Sequence, residues 1–292
     1  MKSIVLLALA GLCSACAHAE PPKPLLWKVS DADNHVYLLG SFHALKPADY
    51  PWSPSLDAAI DDAEKYAFEL SPEELRSPEL AKKMAQAALI GNGKTLQQTL
   101  PAPLMKQLQS YLDKNGLPAQ GVTMFQPWFV SLIISMTEMQ RLGFDPKLGL
   151  DQQLMDRIGA GGKPAIGLET GSEQIAALNS MTVSEQQASL QESLNEASDF
   201  RTEIEALHDE WRAGDESALY ARMGADLKQH YPALYQRIDV DRNQAWLPKI
   251  RSMLDNEKHD DTLVVVGSLH LLGPDGLVAK LKAAGYQVER VK

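Results

Sequence analysis

Two distant stretches of the chain share one pattern of apolar and polar positions. Between residues 261 and 270 the run Thr-Leu-Val-Val-Val stops at a glycine and continues as Gly-Ser-Leu-His, ending at His270. Near the other end, Val-Tyr-Leu-Leu runs into Gly-Ser-Phe-His, ending at His43. Apolar, β-branched runs of this length predict buried strands, and a glycine after a strand permits a sharp turn or a close approach. The sequence therefore predicts two buried strands that each deliver a histidine.

A single histidine after a strand is more often a hydrogen-bonded structural residue than a ligand. The repetition favours a functional pair, because packing alone requires apolar residues and does not require Gly-Ser-x-His twice. In open α/β sheets, ligand sites collect at the carboxyl ends of the strands. We therefore expect His43 and His270 to meet at such an edge, although more than two hundred residues separate them.

Further runs predict the rest of a sheet and a helical middle. The predicted strands are Leu25–Ser30, His35–Gly40, Lys65–Leu70, Lys163–Glu169, the run that ends at Gly267, and Tyr286–Val291. The predicted helices are Ser55–Ala63, Ser77–Leu89, Pro103–Lys114, Pro127–Leu142, one beginning at Gly149, Gln174–Asn179, several between Ser184 and Leu254 with breaks at Gly214 and Pro232, and Asp275–Ala284. Among the caps, Asp151 is predicted to cap the helix after Gly149, and Ser184 with Gln187 to form a capping box.

The order of these elements predicts the fold class. Strands dominate both ends of the chain, and no low-complexity linker separates them from the helices. We expect an α/β fold whose mixed β-sheet is built from both ends of the chain, with a large helical middle or cap. Residues 20–292 would form this as a single domain.

Two of the predicted strands finish in a glutamate, Glu69 and Glu169. On spacing alone, Glu69 either faces solvent, without a role, or is buried and paired with a cation or a metal. The second alternative needs a partner because an unpaired buried charge is very costly.

The first nineteen residues resemble a secretory signal. Lys2 supplies the positive start, residues 4–12 form a short apolar core, and Ala17-His18-Ala19 matches a small-x-small cleavage pattern. Cleavage before Glu20 would place the protein in the periplasm; the alternative is a lipoprotein anchored through Cys16. Both cysteines, Cys13 and Cys16, fall in the removed segment, so any metal would be held by nitrogen and oxygen.

The charge and hydropathy of the remaining chain exclude several kinds of partner. The net charge of -10 becomes -11 when Lys2 leaves with the signal, and no long basic run interrupts it. This argues against nucleic acid and against docking on anionic lipid. The most apolar helical stretch, residues 128–136, falls short of the roughly 20 residues that a membrane span needs. We expect no transmembrane span in the mature chain.

Two histidines and one glutamate at strand ends are the minimum ligand set for a divalent metal with open coordination positions. The sequence has no His-Glu-x-x-His, so the site is not that of the helix-borne metallopeptidases. It also lacks a Gly-x-Ser-x-Gly nucleophile elbow and a glycine-rich phosphate loop. A metal site formed by His43, His270 and a strand-end glutamate is therefore the favoured hypothesis.

Several short motifs occur between about Leu26 and Val291. They are the two Gly-Ser-x-His sequences, Phe-Glu-Leu around Glu69, Gly-Leu-Asp at 149–151, Gly-Leu-Glu-Thr at 167–170 followed by Gln174, Arg242-Asn243, and the terminal Gly-Pro-Asp-Gly-Leu and Gly-Tyr-x-Val. Together these motifs resemble those of the TraB/GumN family. The animal Tiki proteins, which are similar in these motifs, are metal-dependent peptidases. The resemblance implies metal ligation by His43, Glu69 and His270. Distant relatives include erythromycin-esterase-like enzymes and a haem-binding lipoprotein, so the fold alone does not determine the chemistry.

Together these observations predict an exported metal-dependent hydrolase, a peptidase acting on a peptide or protein substrate with Mn²⁺, Co²⁺ or Zn²⁺. Glu69 would act as a ligand or as a general base. Glu169, Arg242 and Asn243 are candidate supporting groups, and Arg242 or Asn243 would steady an oxyanion. Arg242 could equally be a structural ion-pair partner. The alternative function is a non-catalytic protein that sequesters a peptide or a haem-like ligand in the same cleft.

Overall fold

The computed structural model of the chain describes residues 20–195 and 200–292. The predicted export signal, with Cys13 and Cys16, lies outside the described residues. Six strands within those residues form one mixed sheet with the order β4-β3-β5-β2-β1-β6. The strands are β1 Leu25–Ser30, β2 His35–Ser41, β3 Lys65–Phe68, β4 Ala165–Gly167, β5 Thr262–Gly267 and β6 Gln287–Val291.

Four neighbouring strands, β4, β3, β5 and β2, run parallel. Strand β1 is antiparallel to both β2 and β6. Strands β2 and β3 come from the amino-terminal part of the chain. Strand β5, which comes from the carboxyl-terminal part, lies between them. This confirms the predicted α/β fold with a mixed sheet built from both ends of the chain. Because the four strands are parallel, their carboxyl ends lie at one edge of the sheet.

The helices occupy most of the chain between β3 and β5. The α-helices are α1 Pro54–Asp62, α2 Pro72–Leu75, α3 Pro78–Ala88, α4 Leu96–Thr99, α5 Ala102–Lys114, α6 Pro127–Arg141, α7 Leu150–Gly161, α8 Gly171–Leu178, α9 Val183–Asn195, α10 Phe200–Ala213, α11 Glu216–Leu219, α12 Asp226–His230, α13 Pro232–Tyr235, α14 Asp241–Asp255 and α15 Leu277–Ala283. Two wider π-helical segments, Tyr220–Ala225 and Gln236–Val240, precede α12 and α14.

The sheet lies at the centre of the main apolar core. Every residue of β5 from Thr262 to Val266 is buried, as expected for a parallel strand covered on both faces. Trp27 and Trp246 are among the largest side chains packed there. Full burial of such an apolar side chain contributes about 1.5–3 kcal/mol.

A second apolar cluster holds the helical part together. Its members come from α4, α5, α6 and α9, and Val130 and Ile134 of α6 are buried in it. Helix α6, which contains the most apolar helical stretch of the sequence, therefore packs in this cluster. Within residues 20–195 and 200–292, no helix is both long enough and apolar enough to cross a membrane.

Helix breaks were predicted better than helix caps. Helix α10 ends before Gly214, which adopts φ +66°, and α13 begins at Pro232, so both predicted breaks are confirmed. The predicted capping box of Ser184 with Gln187 is wrong. The box before α9 pairs Thr182 with Glu185, because the backbone N–H of each donates to the side chain of the other, at 2.7 and 3.2 Å.

The predicted capping role of Asp151 is also wrong. Helix α7 begins after Gly149, so Asp151 already lies in its first turn. The strand boundaries shift as well: β3 ends at Phe68 and β4 at Gly167, which places Glu69 and Glu169 just after their strands. Successive side chains of a strand point to opposite faces of the sheet, but this rule does not apply to Glu69 and Glu169, because both lie beyond the ends of their strands.

A buried ionic cluster fixes α10 to the loop after β2. Asp49, whose side chain is fully buried, accepts hydrogen bonds from His208 Nε2 at 2.9 Å and from Arg212 Nη1. Burial alone would raise the pKa of Asp49. Hydrogen bonds from His208 and from the Lys46 N–H instead hold that pKa below its usual value.

We expect Asp49→Asn to cost about 3–5 kcal/mol at pH 7, because it leaves the largely buried guanidinium of Arg212 without its counter-charge. The pKa of Asp49 is lower in the folded than in the unfolded state. Its contribution is therefore fully present above about pH 4 and is lost as the pH falls through the folded pKa. Urea unfolding of both proteins at pH 7 and pH 3 tests this. The difference between them should narrow at pH 3, and an unchanged difference would contradict an ionic origin.

Candidate active site

Each of the four parallel strands is followed by one carboxylate or one imidazole side chain. His43 follows β2, Glu69 follows β3, Glu169 follows β4 and His270 follows β5. His43 and Glu69 line a cleft of about 210 Å³ at this edge of the sheet. The turns that carry His43 and His270 lie side by side at this edge, because β2 and β5 are adjacent and parallel, although His270 itself does not line the cleft.

The Gly-Ser part of each motif joins the two histidine-bearing turns. Ser41 lies opposite Gly267 in the register of β2 and β5. The Ser268 hydroxyl donates to the Ser41 carbonyl at 2.8 Å. Gly40 leaves room for this contact, since a Cβ there would lie only 3.0 Å from Ser268 Oγ. The repeated sequence thus has a structural role of its own.

His43 is oriented by Asp151, whose Oδ2 lies 3.2 Å from His43 Nδ1. The Gly-Leu-Asp sequence explains this contact. The Leu150 N–H donates to the Phe42 carbonyl at 3.1 Å, and a Cβ on Gly149 would overlap the His43 carbonyl. Only glycine permits so close an approach. The start of α7 therefore docks on the turn that carries His43.

The imidazole of His43 carries a raised pKa. Its side chain lies at the mouth of the cleft and is 63% exposed. Desolvation lowers the pKa of the ring, but the charge and hydrogen bond of Asp151, and the charge of Glu69, raise it to about 9. An Nδ1–H that donates to Asp151 leaves Nε2 free to face the strand ends.

His270 is held from behind by buried polar groups. Its Nδ1 lies 2.8 Å from Asn243 Oδ1 and 3.2 Å from Asp239 Oδ1, and both partners are fully buried. Asn243 also donates its amide N–H to the Asp275 carbonyl at 3.1 Å, which turns its oxygen towards the ring. Trp246 packs against His270 with 4.5 Å between ring centroids. Asn243 therefore orients His270, and its burial keeps it from contacting a substrate.

Arg242 lies between these groups at the start of α14. Its Nη2 donates to Glu69 Oε2 and to Glu169 Oε1, each at 2.6 Å. Its Nε donates to Glu169 Oε2 at 3.0 Å, and its Nη1 donates to His270 Nε2 at 3.0 Å. The guanidinium lies 4.6 Å from the centre of the Trp246 ring. Arg242 is an ion-pair partner, as one alternative predicted, and its pairs connect the residues of the site.

Glu69 is paired, and this decides between the two alternatives left open for it. Its side chain is 15% exposed, and its Oε1 accepts from the Gly267 N–H at 2.8 Å. Burial would raise the pKa of this carboxyl. Instead, the charges of Arg242 and His43, together with the Gly267 hydrogen bond, lower the pKa below its usual value.

Atoms of all three candidate metal ligands lie close to the backbone of Gly267. A Cβ on Gly267 would lie 3.3 Å from His43 Nε2, 3.3 Å from Glu69 Oε1 and 3.7 Å from His270 Cδ2. The donor types, two imidazoles and a carboxylate, suit a divalent transition metal. Within residues 20–195 and 200–292, however, no three such side chains already stand in coordinating positions. The hydrogen bond from Arg242 to His270 Nε2 contributes to this, because it occupies the ligand lone pair.

Sequence reasoning missed three polar or aromatic contacts of the site. Asp151 was assigned to a helix cap, Asp239 was not considered, and Trp246 was not distinguished from core residues. Gln174, noted only as part of a motif, donates to Glu69 Oε2 at 3.3 Å and to Glu169 Oε1 at 3.2 Å. The spacing of Asp239, Asn243 and Trp246, at positions three and four apart on a helix, was the available signal.

A family model matches most of the chain. The model for the TraB/PrgY/gumN family matches residues 25–290, nearly the whole of the described chain. The chain belongs to the TraB/PrgY/gumN family. The motifs that suggested the resemblance extend over almost the same range, so the family assignment made from the sequence is confirmed.

Two relatives that resemble the chain carry the name of an uncharacterized protein. The protein is 22% identical over 250 residues to the uncharacterized protein YbaP of Escherichia coli (strain K12), covering 86% of this chain and 89% of that protein. The uncharacterized protein YbaP of Shigella flexneri matches with the same identity and coverage. No solved structure matches the chain. Membership of the TraB/PrgY/gumN family therefore supplies no activity by itself.

Proposed function

We propose that this member of the TraB/PrgY/gumN family is an exported, metal-dependent hydrolase that cleaves peptides. The observation that carries the proposal is the convergence of His43 Nε2, Glu69 Oε1 and His270 on the space beside Gly267. Three potential ligands that follow three different strands lie around one glycine, and the absence of a Cβ lets them approach one another.

The residues behind the proposed ligands support the same interpretation. Histidine ligands are usually oriented by a carboxylate or an oxygen on the other ring nitrogen. Asp151 contacts His43 in this way, and Asn243 with Asp239 contacts His270. For Glu69 we favour the ligand role, because a carboxyl with a lowered pKa is a weak general base at neutral pH.

His43, Glu69 and His270 would hold Mn²⁺, Co²⁺ or Zn²⁺. When bound, such an ion polarises a carbonyl and acidifies water. Binding at His270 Nε2 requires Arg242 to release that nitrogen. Glu169 contacts both Nε and Nη2 of Arg242, so the guanidinium stays anchored when the contact with His270 is lost. It is then free to stabilise negative charge on the substrate.

The proposal includes a location outside the cytoplasm. It is supported by the charged start, the short apolar core and the Ala17-His18-Ala19 pattern within residues 1–19. Cleavage after Ala19 would release the protein into the periplasm, and attachment of lipid to Cys16 is the alternative. In either case the mature chain would meet extended peptides and would use nitrogen and oxygen ligands alone.

A second candidate function is a peptide-binding protein without turnover. The observation that favours it is Arg242, which already satisfies Glu69 Oε2 and His270 Nε2. The cleft size bears on the identity of the ligand. At about 210 Å³ it is smaller than the roughly 300–1,000 Å³ of clefts that enclose drug-sized molecules. This favours a short peptide segment over a haem-like macrocycle.

Removal of the proposed ligands is expected to abolish both metal uptake and cleavage. Protein stripped with a chelator is incubated with an unbiased peptide library, with and without Mn²⁺, Co²⁺ or Zn²⁺, and products are identified by mass spectrometry. We expect metal-dependent cleavage by the wild type and none by Glu69→Gln. Elemental analysis should find one ion in the wild type and none in the His43→Ala, His270→Ala double variant.

His230→Ala is the matched control, because this side chain is 54% exposed and pairs with Asp226 outside the cleft. It should leave metal content and cleavage unchanged. Cleavage that ignores both metal and Glu69→Gln would refute the mechanism. A library that remains intact with every metal would favour the peptide-binding function instead.

A further inference from the structure

The cleft has an apolar half that the proposed chemistry does not use. Its polar half contains His43, Glu69, Asp151 and Gln174. The remaining lining residues, Ser41 excepted, are apolar: Phe68, Leu70, Leu75, Met155, Val265 and Val266. Phe68, Met155, Val265 and Val266 also pack in the main core, so the exposed Leu75 is the part of this wall that needs a separate explanation.

Leu75 is the most informative residue of this wall. Phe68, Leu70 and Met155 are at most 4% exposed, whereas Leu75 is 45% exposed at the rim of the cleft. It ends α2, a four-residue helix none of whose residues is buried. Six large hydrophobic side chains are exposed in the part of the chain that the structure describes, and Leu75 alone among them lines the cleft. An exposed leucine beside an apolar recess gains free energy when a ligand covers it.

The size of the cleft limits what can enter. Its volume of about 210 Å³ exceeds the roughly 150 Å³ of an apolar cavity that accepts benzene. One side chain and the adjoining peptide backbone can therefore occupy it. Met155 forms part of the wall, and a flexible thioether adapts to ligands of different shape.

We infer that the apolar half of the cleft is a specificity pocket for one apolar side chain, branched aliphatic or aromatic, next to the bond that is cleaved. The inference rests on the proposed hydrolase function and names its substrate class. The recess borders Glu69 through its sequence neighbours Phe68 and Leu70, so a side chain in the recess brings its own backbone to His43 and Glu69. A charged side chain in the recess would lose its hydration without gaining a partner.

Peptides of the form Ala-Ala-X-Ala-Ala, with X as Leu, Phe, Lys or Asp, test this inference. We expect kcat/KM for Leu and Phe to exceed that for Lys and Asp by about ten- to a hundredfold. Leu75→Asp should lower kcat/KM for the Leu peptide about tenfold and raise it for the Lys peptide. A structural defect would not produce that gain.

Leu89→Asp is the matched control, because Leu89 is 42% exposed and does not line the cleft. It should leave the order of preference unchanged. The same preference in Leu75→Asp and Leu89→Asp would overturn the pocket, as would cleavage without any preference for X.

Binding separates failure of the pocket from failure of the hydrolase. The fluorescein-labelled Leu and Asp peptides are titrated into Glu69→Gln protein and followed by anisotropy. If no peptide is cleaved but the Leu peptide binds more tightly, and Leu75→Asp removes the difference, the pocket stands and the hydrolase function fails. Equal affinity for both peptides would overturn the pocket, whatever the outcome for cleavage.

Discussion

Gly267→Ala is expected to lower peptide cleavage by on the order of a hundredfold while the protein still folds. The added methyl would lie 3.3 Å from both His43 Nε2 and Glu69 Oε1, in the space where the proposed ligands converge. A misplacement of reacting groups by about 1 Å already costs this much. The backbone of Gly267 has φ −54°, which alanine adopts without strain, so the effect should be confined to the site.

The measurements are kcat/KM on a peptide from the library, metal content by elemental analysis and the thermal midpoint. Gly159→Ala is the control, because a Cβ at this position in α7 meets nothing within 4 Å and alanine favours a helix. We expect Gly159→Ala to keep metal and activity. If Gly267→Ala keeps both as well, the space beside Gly267 is not where the metal lies.

Arg242→Met is expected to destabilise the metal-free protein by about 3–5 kcal/mol at pH 7. The substitution leaves the carboxylates of Glu69 and Glu169 without their shared cation, and both side chains are at most 15% exposed. Breaking a buried ion pair by removing one partner has this cost. Methionine preserves much of the volume against Trp246, so lost packing should contribute less than lost charge.

Addition of Glu169→Gln to Arg242→Met should recover part of the loss, because it removes one of the stranded charges. Arg251→Met is the control, since Arg251 lies on the same helix, is 49% exposed and pairs with Asp255 at 3.9 Å. Its effect should stay below about 1 kcal/mol. Denaturant unfolding gives all four free energies. If Arg242→Met and Arg251→Met lower the free energy of unfolding equally, the ion pairs of Arg242 with Glu69 and Glu169 contribute nothing to stability through their charge.

The strands of the sheet could be predicted from the sequence because each strand has its own short run of apolar and β-branched residues. The β-branched run of β5 and the hairpin of β1 and β2 were found within a few residues of their observed ends. The meeting of His43 with His270 followed from a repeated motif together with the rule that parallel strands end at one edge. Both predictions needed only local patterns and the topology that they imply.

The side-chain contacts of the candidate site could not be predicted in the same way. No local pattern distinguishes Asp151 as a partner of His43 from Asp151 as a helix cap, because both roles place a carboxylate near a helix start. The position of Arg242 depends on how α14 packs across the strand ends. Its contact with His270 therefore became visible only in three dimensions. The proposed binding of a metal at His270 has to account for this contact.

The central place of β5 in the sheet has a consequence for the nascent chain. Strands β2 and β3 are translated early, but the strand that lies between them is among the last segments to be synthesised. Until β5 is synthesised, β2 and β3 lack the strand with which both of them pair. The turn that carries His43 also lacks the neighbouring turn that carries His270. Pairings over such long sequence separations form late and slowly. The protein should therefore remain without a complete site throughout its biosynthesis, so that a half-made polypeptide cannot act on its surroundings.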